Sequence, residues 1–153
     1  MGIAITLHVL SAVIWVGGMF FAYLALRPAI AGVEPLARAR IWVSVFQRFF
    51  PWVWSSIVVL LSTGFYMLLF NLDGFAHAPV FVHIMLVLGI LMMLIFAHVF
   101  FAPYRSLRRA TESNDEPTAK KSMKQIRILI GINLALGLIV IAVAMLGMFA
   151  FFS

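Results

Sequence analysis

The chain has 153 residues, of which 65% are hydrophobic and only 10% charged, whereas soluble domains run about 45–50% apolar and about 25% charged. A soluble fold of this length buries only about 70% of its unfolded surface, so this composition excludes a soluble enzyme, a secreted domain and, despite the net charge of +6, a nucleic-acid binder. The absence of cysteine excludes disulfides, thiolate zinc sites, iron–sulfur clusters and a cysteine nucleophile.

Four apolar runs are long enough to cross a bilayer, each needing ~20 residues. The first, about residues 3–26, stops at Arg27-Pro28. It is longer than the 7–15-residue core of a signal peptide and no positive region precedes it, so it reads as a retained span. From Glu34 to Phe50, Pro35 occupies a first-turn position, and Leu36, Trp42, Val45, Phe46 and Phe49 recur at helical spacing opposite Arg38, Arg40 and Gln47. This predicts an additional amphipathic basic helix before the second span, about residues 51–72. One helix from Pro35 to Leu72 would reach about 57 Å, nearly twice the hydrocarbon thickness. A break or kink at Pro51 is therefore expected, with the basic half entering or lying along the interface. A short turn, Asp73 to Pro79, leads to the third span, about residues 80–102, ended by Pro103. Tyr104 to Gln125, with Thr111-Glu112-Ser113-Asn114-Asp115-Glu116-Pro117, reads as a solvated loop before the fourth span, about residues 128–152.

The expected fold is all-α, an integral-membrane four-helix up-down bundle, with residues 1–153 as a single transmembrane domain. All eleven Lys and Arg fall in two connections, about residues 27–50 and 103–127. The positive-inside rule makes these connections cytoplasmic and puts both termini and the Asp73–Ala78 turn outside.

Ionisable groups at membrane depth are rare and mark functional positions. Here they are histidines: His8 in the first span, His83 and His98 in the third, and His77 in the turn just outside. The first and third spans run in the same direction. His8 and His83 lie about five and three residues into them, which places the two imidazoles within about 3 Å of one level. Across a bundle with ~8–10 Å between axes they are placed to clasp one planar ligand. His98 lies about 22 Å deeper and reads as a structural hydrogen-bonding group, with Asn133 as its expected partner; His77 reads as solvated. The His8 face continues through Ser11, Ala12 and Trp15 to Gly18, where small residues permit close approach and Trp15 would floor the pocket.

The stretch from His8 to Leu26, with its flanks LHVLSAVIWVGGMFFAYLALRPA, resembles the opening of the CopD-type (copper resistance D) membrane domain. Its pattern of His, then Trp seven residues on, then Gly also opens the HemJ family. The resemblance extends through QRFFPWVWSSIVVLLSTGFYML and FVHIMLVLGILMMLIFAHVFFAPYR. It implies a bacterial inner-membrane protein. CopD-type domains are associated with copper uptake or resistance. HemJ-like proteins are haem-binding oxidases whose first- and third-span histidines match His8 and His83. Their motif has a lysine two residues after the second histidine; Met85 stands there in this chain, which argues against porphyrinogen oxidation while leaving haem binding.

Three readings follow. The leading one is a b-type haem protein with His8 and His83 as axial ligands and Trp15, Ser11 and Gly18 around the cofactor near the outer face. Two imidazoles would favour electron transfer, with a quinol or a periplasmic redox protein as partner. Against it, the outer side carries no Lys or Arg for the propionates, leaving Asn71, His77, Tyr66 or backbone donors. The alternative is a copper-handling protein, since thioethers and imidazole suit Cu(I); its site would add Met85, Met145 and Met148. The third is a cofactor-free accessory subunit in which the histidines only pack the bundle. A homo-oligomer is compatible with all three.

Overall fold

A computed structural model describes residues 1–152, with side chains to residue 150. Helix α1 (Gly2–Phe21) runs into a π-helical turn (Ala22–Leu26) and a short α2 (Arg27–Ala29), followed by α3 (Pro35–Asn71), α4 (Val80–Phe101), α5 (Pro103–Glu112) and α6 (Glu116–Phe152). Four of the continuous helical segments are long and apolar enough to cross a membrane. Large side chains on their outer faces stand open, among them Phe70, Val80, Leu146 and Phe149, the last at 77% exposure. In water such a surface would be unsustainable; against lipid it carries no penalty. The expected all-α, four-span architecture is what forms.

The helices associate as two pairs. α1 packs mainly along α3, and α4 mainly along α6, while α5 lies on α6. The pairs meet at several levels. Near the middle, Gly137 of α6 is so close to α1 and α4 that a Cβ there would stand 2.8 Å from Val16 Cγ2 and 3.2 Å from the Met92 methyl. Toward the end that carries the basic residues, aromatic rings interlock. Phe50 of α3 meets Phe96 of α4 edge-on at 5.1 Å and Tyr104 of α5 at 4.9 Å, and Trp54 meets Phe96 at 5.1 Å. Edge-to-face pairs of this kind add about 0.5–1.5 kcal/mol each to their area burial.

The structure departs from two expectations. Pro51 does not end or break α3, which is one helix of 37 residues, about 55 Å long at 1.5 Å per residue. The backbone disruption at a proline is local, and within a membrane bundle neighbouring helices and hydroxyl side chains compensate it. Here Phe46, Phe50 and Val53 on either side of Pro51 are buried, and Ser55 Oγ donates to the Pro51 carbonyl at 2.9 Å. The basic segment is therefore the continuation of the second span.

The Tyr104–Gln125 segment is also helical, apart from a corner at Ser113–Asp115. Tyr104, Leu107, Ala110 and Thr111 form a buried stripe on α5 and face Ala119, Ser122 and Ile126 on α6. Leu107 is wholly inaccessible, and Ser122 Oγ donates to Ser106 Oγ at 3.0 Å. Asp115 caps α6 by accepting from the Thr118 amide at 3.1 Å. Arg40 of α3 donates to Asn114 Oδ1, tying the corner to the long helix.

Glu34 caps α3, its carboxylate accepting from the Leu36 and Ala37 amides at 3.0 and 2.9 Å. These two bonds hold its pKa below the ordinary carboxylate value. A depressed folded-state pKa means that the cap contributes fully above the unfolded value and is lost as pH falls through the folded one. Amide exchange at Leu36 and Ala37 should accelerate over that acidic range in the native protein and be fast at all pH in Glu34→Ala.

The close approach at Gly137 yields a second expectation. Gly137→Ala must displace Val16, whose branched side chain has little rotamer freedom, and should cost about 1–3 kcal/mol. Gly89→Ala meets nothing within 4 Å and should be neutral or slightly stabilising through helix propensity. Thermal unfolding of the two variants in detergent compares them.

Candidate functional site

On α1, His8, Ser11, Trp15 and Gly18 follow each other at three- and four-residue steps and share one face. That face is the packed one: Ser11 and Trp15 are buried, and the space beside Gly18 is taken by the Phe49 ring of α3. His8 is half-buried. Its ring lies against Gly64, where a Cβ would stand 3.5 Å from Cε1, and its Nδ1 lies 2.8 Å from Thr63 Oγ1.

The Thr63 hydroxyl constrains which nitrogen of His8 carries the proton. Its single hydrogen goes to the Val59 carbonyl at 2.6 Å, so toward His8 the oxygen can only accept. His8 therefore donates from Nδ1–H and keeps the Nε2 lone pair free. His83 is exposed on the first turn of α4, with Nδ1 3.2 Å from the Pro79 carbonyl. A carbonyl accepts only, so this contact too calls for a hydrogen on Nδ1. An acceptor on the second ring nitrogen is the arrangement that orients metal-binding imidazoles.

Val16 and Met92 both abut Gly137 and so define a common level. His8 is eight residues from Val16 and His83 nine from Met92, both toward the Asp73–Ala78 turn. Helical rise puts them about 12 and 13.5 Å beyond that level. They belong to helices of different pairs, and each ring's Nδ1 turns to an oxygen on its own side, Thr63 for one and Pro79 for the other. Among the described residues no three His, Cys, Asp or Glu side chains cluster as a metal site.

The sulfur candidates are dispersed. Met85 is half-buried two residues beyond His83, so it projects about 200° around α4 from it; Met145 and Met148 are exposed on α6. On α3, Thr63, Met67 and Asn71 follow at four-residue steps along the strip facing α1, and Asn71 Nδ2 donates to the Met1 sulfur. His77 is exposed, with Nδ1 3.3 Å from the Asp73 carbonyl.

The expected bond between His98 and Asn133 does not form. α4 buries Met92, Phe96 and Val99, and His98, two residues past Phe96, lies on the opposite, exposed side. Asn133 is 3% exposed and its Oδ1 has no partner. Trp15, Gly18 and Asn133 line an apolar cavity of about 380 Å³ between α1, α3, α4 and α6, about 10 Å along α1 from His8 and toward the basic end.

Sequence reasoning missed Thr63, the residue that orients His8. A threonine in an apolar span was the available signal, but only the packing of α1 on α3 reveals its partner.

The family model described as Copper resistance protein D (CopD) matches residues 43–146. The chain belongs to the CopD family. The match runs from within α3 to within α6 and includes His83, while His8 lies before it. No curated protein and no solved structure matches the chain. As a CopD protein with four candidate spans, it is a multi-pass membrane protein related to copper resistance.

The tautomer of His8 is directly measurable. In ¹⁵N-histidine NMR spectra of the detergent-solubilised protein, His8 should show a protonated Nδ1 and an unprotonated Nε2. Thr63→Val removes the acceptor at nearly constant shape and should move His8 toward the Nε2–H form.

Proposed function

We propose that this CopD protein handles copper within the membrane, accepting Cu(I) as cargo on the Nε2 atoms of His8 and His83. The observation that carries the reading is the shared state of the two rings. Each turns Nδ1 to a fixed oxygen and has Nε2 as the nitrogen left for a metal, on parallel helices and at one level by helical rise. Cu(I) is a soft ion that takes imidazole and thioether, and Met67 stands one turn beyond Thr63 on α3. Met85, Met145 and Met148 are the further sulfur candidates. Family membership supports copper as the metal. With the basic end in the cytoplasm, this donor set lies near the outer face, where ions arriving from outside would be met first.

A second reading rests on the same two Nε2 lone pairs, which equally suit the axial positions of a b-type haem. It would make the protein an electron carrier between a quinol or external redox partner and an acceptor, with Ser11 and Trp15 toward the ring. The sulfur groups on α3 and α6 and the lack of cationic side chains at that end of the bundle favour copper.

One preparation distinguishes the readings. The detergent-purified full chain is titrated with Cu(I) against a chromophoric chelator, and its oxidised and dithionite-reduced spectra are recorded. The expected result is a colourless protein binding about one Cu(I) per chain, weakened at least roughly tenfold in His8→Ala and in His83→Ala, and about tenfold in Thr63→Val through loss of the orienting bond. A Soret band abolished by the histidine substitutions would replace copper with haem. Binding indifferent to both substitutions, with no Soret band, would overturn both readings and leave the histidines as packing groups.

A further inference from the structure

The cavity beside Asn133 has features that the copper reading does not use. Its walls are apolar and rich in rings: Trp15, Phe21, Phe46, Phe49, Phe50 and Phe96 contribute. Among its lining side chains the Asn133 amide and the Trp15 indole N–H are the only polar groups. Asn133 Oδ1 is buried and makes no hydrogen bond, and a buried acceptor left unpaired keeps its full desolvation penalty. The backbone of α6 makes no demand for asparagine in the interior of the helix. The cost is recovered if something else supplies the donor.

The second observation is the backbone beside it. Ala22 and Leu26, the two ends of the π-helical turn, line the same cavity. Such turns are rare, and they occur frequently at functional sites. Phe21, immediately before the turn, also lines the cavity yet is 61% exposed on the outer surface of the bundle. The space therefore reaches the lipid-facing side at the junction of α1 and the π turn.

We infer that this cavity is a binding site for a membrane-soluble phenol or hydroquinone, entering from the bilayer beside Phe21, with its ring among the aromatic side chains and its hydroxyl donating to Asn133 Oδ1. The chemistry selects this class. A volume of about 380 Å³ falls in the range of small-molecule pockets and accommodates a substituted ring. An acyl chain would fill the apolar walls but leave Oδ1 unpaired. A charged headgroup would meet no counter-charge, since the lining contains no Lys, Arg, Asp or Glu. The amide also presents Nδ2–H, so the carbonyl of the corresponding quinone finds a donor on the same side chain.

The test uses the full chain in lipid nanodiscs and two probes: decylubiquinol, and decylbenzene as the analogue without ring oxygens. Quenching of tryptophan fluorescence and the Asn133 side-chain amide resonance report binding. Decylubiquinol should quench saturably and shift the Asn133 resonance, and decylbenzene should bind at least roughly tenfold more weakly. Asn133→Leu should reduce decylubiquinol affinity by about the same factor while leaving the unfolding temperature unchanged or raised, because it removes an unpaired buried group. If Asn133→Leu does not fold, Asn133→Ala, which likewise removes the acceptor, should show the same selective loss. His8→Ala should leave this binding intact, so failure of the copper site and failure of this one are separately visible. Equal affinity of the two probes, equal binding by Asn133→Leu, or an Asn133 resonance that decylubiquinol does not move would overturn the inference.

Discussion

The interlock of aromatic rings between α3 and the α4–α5 segment is the contact on which the rest of this bundle depends. α1 with α3, and α4 with α6, form two pairs whose outer faces have no preference between lipid and each other, because lipid tails are as apolar as their side chains. What joins the pairs is shape. Phe50 inserts between Phe96, Phe100 and Tyr104, Trp54 covers Phe96 and Phe100, and Trp15 of α1 reaches Phe96 edge-on. Gly137 lets Val16 and Met92 close on α6 at the level above. Both candidate sites are set by this joint. It fixes the level from which His8 and His83 are measured, and its incomplete filling leaves the space beside Asn133.

How much of this was legible varies with the kind of signal. The four spans were legible because a membrane helix advertises itself through composition: no water is present to satisfy its backbone, so the chain must be apolar and helical over the whole crossing. The helical periodicity of Leu36, Trp42, Val45, Phe46 and Phe49 was legible for the same reason. The two misreadings concern Pro51 and α5. A proline signals a break in an isolated helix, and whether it causes one depends on what holds the residues on either side; Phe46, Phe50 and Val53 are held here. In α5 the arginines and the polar Thr111–Glu116 stretch masked a clean stripe of Tyr104, Leu107 and Ala110, which becomes meaningful only once α6 is known to extend far enough to receive it.

The histidines show the same division more sharply. That His8 and His83 stand near one level follows from counting residues along parallel helices. That each ring turns Nδ1 to an oxygen rests on the Thr63 hydroxyl and the Pro79 carbonyl, neither of which spacing assigns to them. For His98 the count was sound but the direction was not. A residue two positions from a buried phenylalanine points away from it, and which phenylalanine is buried is a property of the bundle.

The sequence by itself determined that this is an all-helical membrane chain with four spans, a basic end and imidazoles at membrane depth, because each of these is carried by residue type and one-dimensional order. Only the tertiary structure decided which helices pair, that Pro51 leaves α3 unbroken, that Thr63 orients His8, and that Asn133 faces a cavity instead of His98. Those facts rest on the rotation of each helix about its axis. That rotation is set by interlocking side chains from separate segments, which a local pattern in one segment cannot contain.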